Sequence, residues 1–201
     1  MDINATLVKE LREKTGVGMM DCKKALQESK GDLTLAVEYL RKKGIATAKK
    51  RGGRATSEGQ VASYIHPGAK IGVLVEVNCE TDFSGKTEDF TAFVKNIAMQ
   101  IAAANPLSVD REGTPASVLE KEREIYVGQA KESGKPDKVI DKIVEGKMSK
   151  FYSEVCLLEQ PYVKNPDITI QDLLNELMAK TGENILIRRF TRYQLGDSDE
   201  R

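Results

Sequence analysis

The chain has 201 residues, of which 40% are hydrophobic and 31% are charged. This composition is typical of a folded globular protein with one substantial core and a small satellite domain, and it excludes wholesale disorder. The 31 basic and 31 acidic side chains balance to a formal net charge of zero. Proteins that bind nucleic acids mainly through the phosphate backbone need excess positive charge, so we expect no nucleic-acid partner.

No apolar run approaches the roughly 18 residues that a membrane-spanning helix needs. The first ten residues, MDINATLVKE, lack the basic and then apolar layout of a secretory signal. We therefore expect no membrane partner and a cytoplasmic location, with the mature form of an organellar protein as the alternative.

The cysteines and the single histidine offer little for chemistry. Cys22, Cys79 and Cys156 are far apart in sequence, and His66 lies in a His-Pro-Gly turn. This pattern predicts free, mostly buried thiols and no metal site. No nucleophile is paired with a base, so we expect no catalytic residue, no cofactor and no enzyme activity.

Residues 1–44 have the pattern of three short helices, because apolar residues recur at helical spacing. The first helix is predicted to end near Gly16, Asp32 is predicted to cap the third, and Gly44 to end it. Together they predict a small UBA-like bundle, a kind of module that usually binds partners. The predicted inner faces are Ile3, Leu7, Val8 and Leu11, then Cys22, Ala25 and Leu26, then Leu33, Ala36, Val37 and Leu40.

Residues 45–58 change character. Gly52-Gly53 and the basic residues Lys49, Lys50, Arg51 and Arg54 predict a flexible basic linker. Contact with RNA is the alternative, but no aromatic residues interleave with these charges. The remaining residues, 59–201, are predicted to form an α+β core domain that binds a partner.

The core domain is predicted to begin with a β-hairpin. One strand covers 60–65, a turn follows at 66–69, and 70–79 alternates apolar and polar side chains with period two. The helices that follow are predicted at 88–105, 115–133, 137–152 and 170–182, and a last strand at 184–193. A cap at Thr114 and a capping box at Thr169 and Asp172 mark two helix starts. The fold class is therefore α+β, with an antiparallel sheet covered by helices.

Residues Ser84-Gly85-Lys86-Thr87 follow a strand and precede a helix, which is the context of a phosphate-binding loop. That loop needs a glycine at position 80, where this chain has Glu80, and Asp82 adds a second negative charge. A P-loop-like enzyme that binds nucleotide with Gly85-Lys86-Thr87 is thus the disfavoured alternative.

Phe83 follows the second strand, between polar residues and a flexible Ser84-Gly85. The residues alone favour a phenylalanine that packs onto the core, as most do. Met19 and Met20 present the opposite case. Adjacent helical residues point about 100° apart, so at least one is expected to be exposed, and an exposed methionine suits an adaptable binding surface.

Three stretches of the sequence resemble the elongation factor Ts family. They are TGVGMMDCKKAL from Thr15, VLVEVNCETDF from Val73, and the segment from Ile143 through Phe151-Tyr152 to Pro161. They occur in the family's order and together span nearly the whole chain. A generic adaptor with a ubiquitin-associated module is the other non-enzymatic interpretation.

The resemblance implies a guanine-nucleotide exchange factor that binds elongation factor Tu, both GDP-bound and nucleotide-free. It implies that Arg12, Met19 and Met20 lie in an N-terminal docking region. It further implies that Thr81, Asp82, Phe83 and Ser84 form a wedge that enters the partner near its magnesium ion. This reverses the expectation that Phe83 is buried.

Two features distinguish this chain within the resemblance. The family usually has Val-Ala where this chain has Ser84-Gly85, so we expect a weaker apolar contribution from position 84. The chain is also similar to the compact members that lack a long inserted coiled coil, and for these a homodimer is expected.

Overall fold

The computed structural model describes residues 3–133 and 136–197. Its helices are α1 (Ala5–Thr15), α2 (Met19–Glu28), α3 (Leu33–Arg51), α4 (Asp82–Gly85), α5 (Glu88–Ala104), α6 (Ala116–Glu132), α7 (Asp137–Val155) and α8 (Ile170–Thr181), with a short 3₁₀ helix at Leu157–Glu159. Its strands are β1 (Glu58–Ile65), β2 (Ile71–Cys79), β3 (Pro161–Tyr162), β4 (Asn165–Thr169) and β5 (Ile185–Gln194).

The strands form a three-stranded sheet in the order β1-β2-β5 and a separate pair, β3-β4. The predicted hairpin between β1 and β2 is confirmed, and its turn is closed by the amide of His66, which donates to the carbonyl of Ile71 at 2.9 Å. In β2 the side chains of Val73, Val75 and Val77 are buried, as the period-two pattern predicts. The α+β class is confirmed.

The three N-terminal helices pack around one apolar cluster. Gly16 ends α1 in the left-handed conformation, with φ +67°, and an Asp32 carboxylate oxygen accepts from the amide of Leu35 at 3.0 Å. Both helix-end predictions are confirmed. The buried members of the cluster are Val8, Leu11, Val17, Cys22, Ala25, Leu26, Ala36 and Leu40.

The predicted end of the third helix at Gly44 is wrong, because α3 continues to Arg51. A Cβ placed on Gly44 would lie 3.3 Å from the Cβ of Ala179 in α8. Gly44 therefore serves close packing between two helices and not a helix end. Val37, predicted inside the bundle, is exposed.

The chain comprises two compact units. One contains the residues up to Val61 together with Glu76–Val94 and Asp172–Ile187, and the other contains Ala62–Val75, Lys95–Gln171 and the residues from Arg188 onward. The bundle, α4 and the start of β5 all belong to the first unit. The predicted division into 1–44, 45–58 and 59–201 stays a prediction.

In the second unit, α6 and α7 share a cluster of buried residues, namely Ala130, Ile140, Val144 and Met148. Thr114 does not cap α6 as predicted, since its hydroxyl contacts Ser108 at 2.8 Å and Pro115 occupies the N-cap position. The end of α7 at Val155 lies three residues beyond its predicted end.

A buried amide pair holds the β3 segment, which the sequence pattern did not predict. The Gln100 side chain donates to Gln160 Oε1 and to the Pro161 carbonyl, each at 3.2 Å. Its own oxygen accepts from the amide of Val163 at 2.9 Å. The polar groups of Gln100 are thus satisfied inside the core, as burial requires.

Gly59 in β1 allows a close approach between the backbones of β1 and β2. Its φ is +138°, and an added Cβ would lie 2.1 Å from the carbonyl oxygen of Val77. Gly68 also has positive φ, +92°, but no atom of the part of the chain that the structure describes lies within 4 Å of its Cβ position. Substitutions at these two positions therefore distinguish the cost of backbone strain alone from the cost of strain with a steric collision.

We expect Gly68→Ala to cost about 1 kcal/mol of unfolding free energy, which reflects the left-handed backbone alone. Gly59→Ala adds the collision and should cost at least about 3 kcal/mol. Urea unfolding followed by circular dichroism measures both values. Equal losses for the two variants would show that the β1–β2 approach does not need a glycine.

Candidate functional site

The candidate site is the turn that leaves β2 and enters α4. Cys79, the last residue of β2, is buried, and its Sγ lies 3.2 Å from the carbonyl oxygen of Thr81. Thr81 caps α4, because its hydroxyl accepts from the amide of Ser84 at 3.3 Å. Phe83, the second residue of α4, is 84% exposed. Burial of Phe83, which the residues alone favoured, is therefore wrong.

Packing beneath α4 explains why Phe83 points outward. Ser84 is only 3% exposed, and a Cβ on Gly85 would lie 3.4 Å from Cys79 Sγ and 3.5 Å from Gly59 Cα. Successive helical residues point about 100° apart. With Ser84 and Gly85 turned inward, Phe83 is directed away from the core.

A carboxylate that lies two residues ahead of β5 fixes the backbone of this turn. Glu183 Oε2 accepts from the amides of Glu80 and Thr81, each at 3.1 Å. Glu183 Oε1 accepts from the Thr81 hydroxyl at 2.6 Å. Hydrogen bonds to an ionised acceptor are stronger than neutral ones, so this one side chain holds two consecutive peptide units.

The reverse contact also exists. Glu80 Oε1 accepts from the amide of Asn184 at 2.6 Å and lies 3.4 Å from an Arg54 guanidinium nitrogen. The buried Asn184 side chain donates to the Arg54 carbonyl at 2.9 Å. Sequence reasoning missed Glu183 and Asn184 as site residues, because polar contacts over about a hundred residues leave no periodic pattern.

The far end of α4 is held as well. The Gln60 side-chain amide donates to the Gly85 carbonyl at 2.7 Å and to the Thr91 hydroxyl at 3.0 Å. The Thr87 hydroxyl donates to the Ser84 carbonyl at 2.8 Å and accepts from the amide of Phe90. The short helix is therefore anchored at both ends by side-chain hydrogen bonds.

The same turn is unsuited to phosphate. The amides of Gly85, Lys86 and Thr87 already donate to carbonyls of residues 81–84, whereas a phosphate loop leaves such amides free. Lys86 Nζ lies 2.5 Å from Asp82 Oδ2, and this hydrogen bond raises the pKa of Lys86. The P-loop-like alternative is not favoured.

The cysteines are buried and free, as predicted. Burial raises the pKa of Cys79, and the nearby charge of Glu183 raises it further. Burial likewise raises the pKa of Cys22. Both thiols are thus kept in the neutral, unreactive form. Within residues 3–133 and 136–197, no group of three or more His, Cys, Asp or Glu side chains is placed to hold a metal ion.

The predicted docking residues lie on the bundle, in the same unit as Phe83. Met19 and Met20 open α2 and are 53% and 77% exposed, while Arg12 on α1 is also exposed. Exposure of at least one methionine was predicted, and both are exposed. Their neighbour Cys22 points into the bundle core.

Comparison with known proteins gives consistent matches along the chain. A family model described as "Elongation factor TS" matches residues 44–197. The elongation factor Ts of Syntrophobacter fumaroxidans is 62% identical over 98% of this chain and 98% of its own length. The chain belongs to the elongation factor Ts family.

Other relatives have similar coverage. The elongation factor Ts of Desulfotalea psychrophila is 61% identical over 98% of this chain and all of its own length. The elongation factor Ts of Geobacter sulfurreducens is 59% identical over 100% of this chain and 93% of its own length. As a member of the elongation factor Ts family, the chain is a translation elongation factor.

In its described part, no helix combines the length and apolar character that a bilayer crossing requires.

The Ser84 hydroxyl is buried and has no hydrogen-bond partner among the described residues, and an unpaired buried hydroxyl lowers stability. Ser84→Ala should therefore raise the free energy of unfolding by about 1 kcal/mol. Thr87→Ala serves as the opposite control, because its hydroxyl caps α5, and it should lower that free energy by about 1 kcal/mol. Thermal and urea unfolding measure both; a loss of stability in Ser84→Ala would mean that the hydroxyl has a partner.

Proposed function

We propose that this chain is a guanine-nucleotide exchange factor for elongation factor Tu. It binds the GDP-bound partner, promotes release of GDP and forms a complex with the nucleotide-free partner, acting in the cytoplasm during translation elongation. The observation that carries this proposal is the exposed Phe83 on a turn held at both ends. The chain acts by binding and not as an enzyme.

The energetic basis is linkage between two ligands of one protein. If the factor binds the nucleotide-free state of the partner more tightly than the GDP-bound state, bound factor weakens GDP by the same ratio. Such couplings are typically about 1–3 kcal/mol. Larger weakening needs more contacts, which a wedge and a separate docking surface together supply.

Phe83 supplies apolar volume at the tip of the turn. Its ring projects into solvent in the free chain, so insertion into a partner buries it without first removing it from a core. Full burial of a large apolar side chain is worth about 1.5–3 kcal/mol. In the proposed mechanism, that gain stabilises the partner conformation in which the nucleotide pocket is open.

Asp82 supplies negative charge beside the ring. In the free chain it pairs with Lys86, and both side chains are mostly exposed, so this pair costs little to break. Near the partner's magnesium ion, the Asp82 carboxylate competes for the hydrogen-bond donors that orient the ligands of the metal. Loss of magnesium removes charge neutralisation at the phosphates, and GDP leaves.

Thr81 and Ser84 act as supports in this proposal. The Thr81 hydroxyl is occupied by Glu183 and by the amide of Ser84, while the Ser84 side chain is buried. The contribution of position 84 to binding is thus indirect, through the packing under α4.

Self-association of the chain stays a prediction.

Arg12, Met19 and Met20 form the proposed docking surface. The two methionines are flexible and polarizable, which suits an adaptable contact, and Arg12 adds a positive charge. Docking by the bundle keeps the factor on its partner while the wedge acts.

Phe83→Ala should slow GDP release more than it weakens complex formation. In stopped-flow measurements with fluorescent GDP on elongation factor Tu, we expect the release rate at saturating factor to fall roughly tenfold or more. Tyr193→Ala is a matched control, because Tyr193 is also an exposed aromatic residue, at 69%, and it should leave the rate unchanged. An unchanged rate in Phe83→Ala would reject the wedge.

The docking surface makes a different prediction. Replacing Met19 and Met20 together with alanine should raise the factor concentration that gives half-maximal release by roughly tenfold, through lost contact area. The maximal rate should stay near that of the wild type, because the wedge is intact. A lower maximal rate with an unchanged half-maximal concentration would contradict the assignment.

A further inference from the structure

We propose that Glu183 is a positioning residue that holds the ring of Phe83 in its outward, partner-ready orientation, a role that rests on the exchange function proposed above. Glu183 lies just ahead of β5, about a hundred positions from the wedge, and outside the segments that resemble family signatures. In the free chain it contacts the backbone that leads into the wedge.

The geometry of the contact favours positioning. Glu183 accepts three hydrogen bonds, from the amides of Glu80 and Thr81 and from the Thr81 hydroxyl, at 2.6–3.1 Å. Two of the three donors are backbone groups, so the carboxylate fixes the chain path itself. Thr81 in turn caps α4 at the amide of Ser84, which transmits that fixed path to the residue next to Phe83.

The turn that carries Glu183 is itself constrained. Gly182 adopts a left-handed conformation with φ +76°, which glycine accepts without strain. Asn184 follows and is buried, with its amide on Glu80 and its side chain on the Arg54 carbonyl. The contact is therefore reciprocal, since each segment's carboxylate accepts from the other segment's backbone.

Loss of the carboxylate should loosen the turn without unfolding the unit. Glu183 is partly exposed and Thr81 is exposed, so water can replace the lost acceptor at much of this site. Phe83 would then spend only a fraction of its time in the competent orientation. Activity that depends on one conformer falls in proportion to that conformer's population.

The kinetic consequence differs from that of lost docking. Met19 and Met20 lie on α2 and make none of the Glu183 hydrogen bonds. Complex formation through the bundle should therefore persist in Glu183→Ala. We expect the maximal rate of GDP release to fall about tenfold, with the half-maximal factor concentration within about twofold of wild type.

The test uses the full chain with elongation factor Tu that carries fluorescent GDP. Glu183→Ala is compared with Glu183→Gln, which retains a carbonyl oxygen as acceptor and should keep more activity than alanine. Glu159→Ala is the matched control, because Glu159 also accepts two hydrogen bonds, from Arg111 at 2.5 and 2.7 Å, but belongs to the second unit. It should leave release at the wild-type rate.

A double variant separates positioning from general damage. If Glu183 acts only through Phe83, adding Glu183→Ala to Phe83→Ala should cause no further loss of rate. A further loss by the same factor as in the wild-type background would overturn the proposal, as would a wild-type rate in Glu183→Ala alone.

A spectroscopic readout keeps the two proposals distinguishable. With 4-fluorophenylalanine at position 83 of the free chain, the ¹⁹F resonance should shift or change width in Glu183→Ala but not in Glu159→Ala. If Phe83→Ala exchanges normally, the wedge function fails, and the ¹⁹F signal still decides whether Glu183 holds the ring. An unaltered resonance in Glu183→Ala rejects the positioning role in either case.

Discussion

The structure around Phe83 depends on one constraint: the turn after β2 must run in a fixed path while its apolar tip stays in water. Hydrogen bonds from the turn to Glu183, and from Asn184 back to Glu80, fix one side of it. The Gln60 amide fixes the other side at Gly85. Between these anchors the backbone has few alternative conformations, so Phe83 is held in an exposed position.

An exposed phenylalanine is a cost that the free protein bears. Leaving such a side chain in water forgoes about 1.5–3 kcal/mol of burial energy. The surrounding packing shows why the ring does not fold back, because Gly85 closes against Cys79 and Gly59 and the small Ser84 fills the inward position. Exposure is thus built into the fold, and a partner that buries the ring recovers the energy.

Local periodicity explains which parts of the fold were predictable. The valine alternation of β2 and most of the bundle core come from near neighbours in sequence and were predicted correctly, with Val37 as the exception. The extension of α3 past Gly44 was not predicted, because the glycine is required there by close packing against Ala179 in α8. Glu183 was missed for the same reason: its partners are set by the tertiary fold. The orientation of Phe83 followed from family resemblance and not from its residue type.

Photo-crosslinking from position 83 tests the central claim most directly. With benzoylphenylalanine at this position, the chain is mixed with elongation factor Tu, irradiated, and the linked peptides are mapped by mass spectrometry. The account predicts links to the segments that surround the partner's magnesium ion and nucleotide. Links confined to other surfaces, or none from position 83 while the same probe at Met20 reacts, would contradict it.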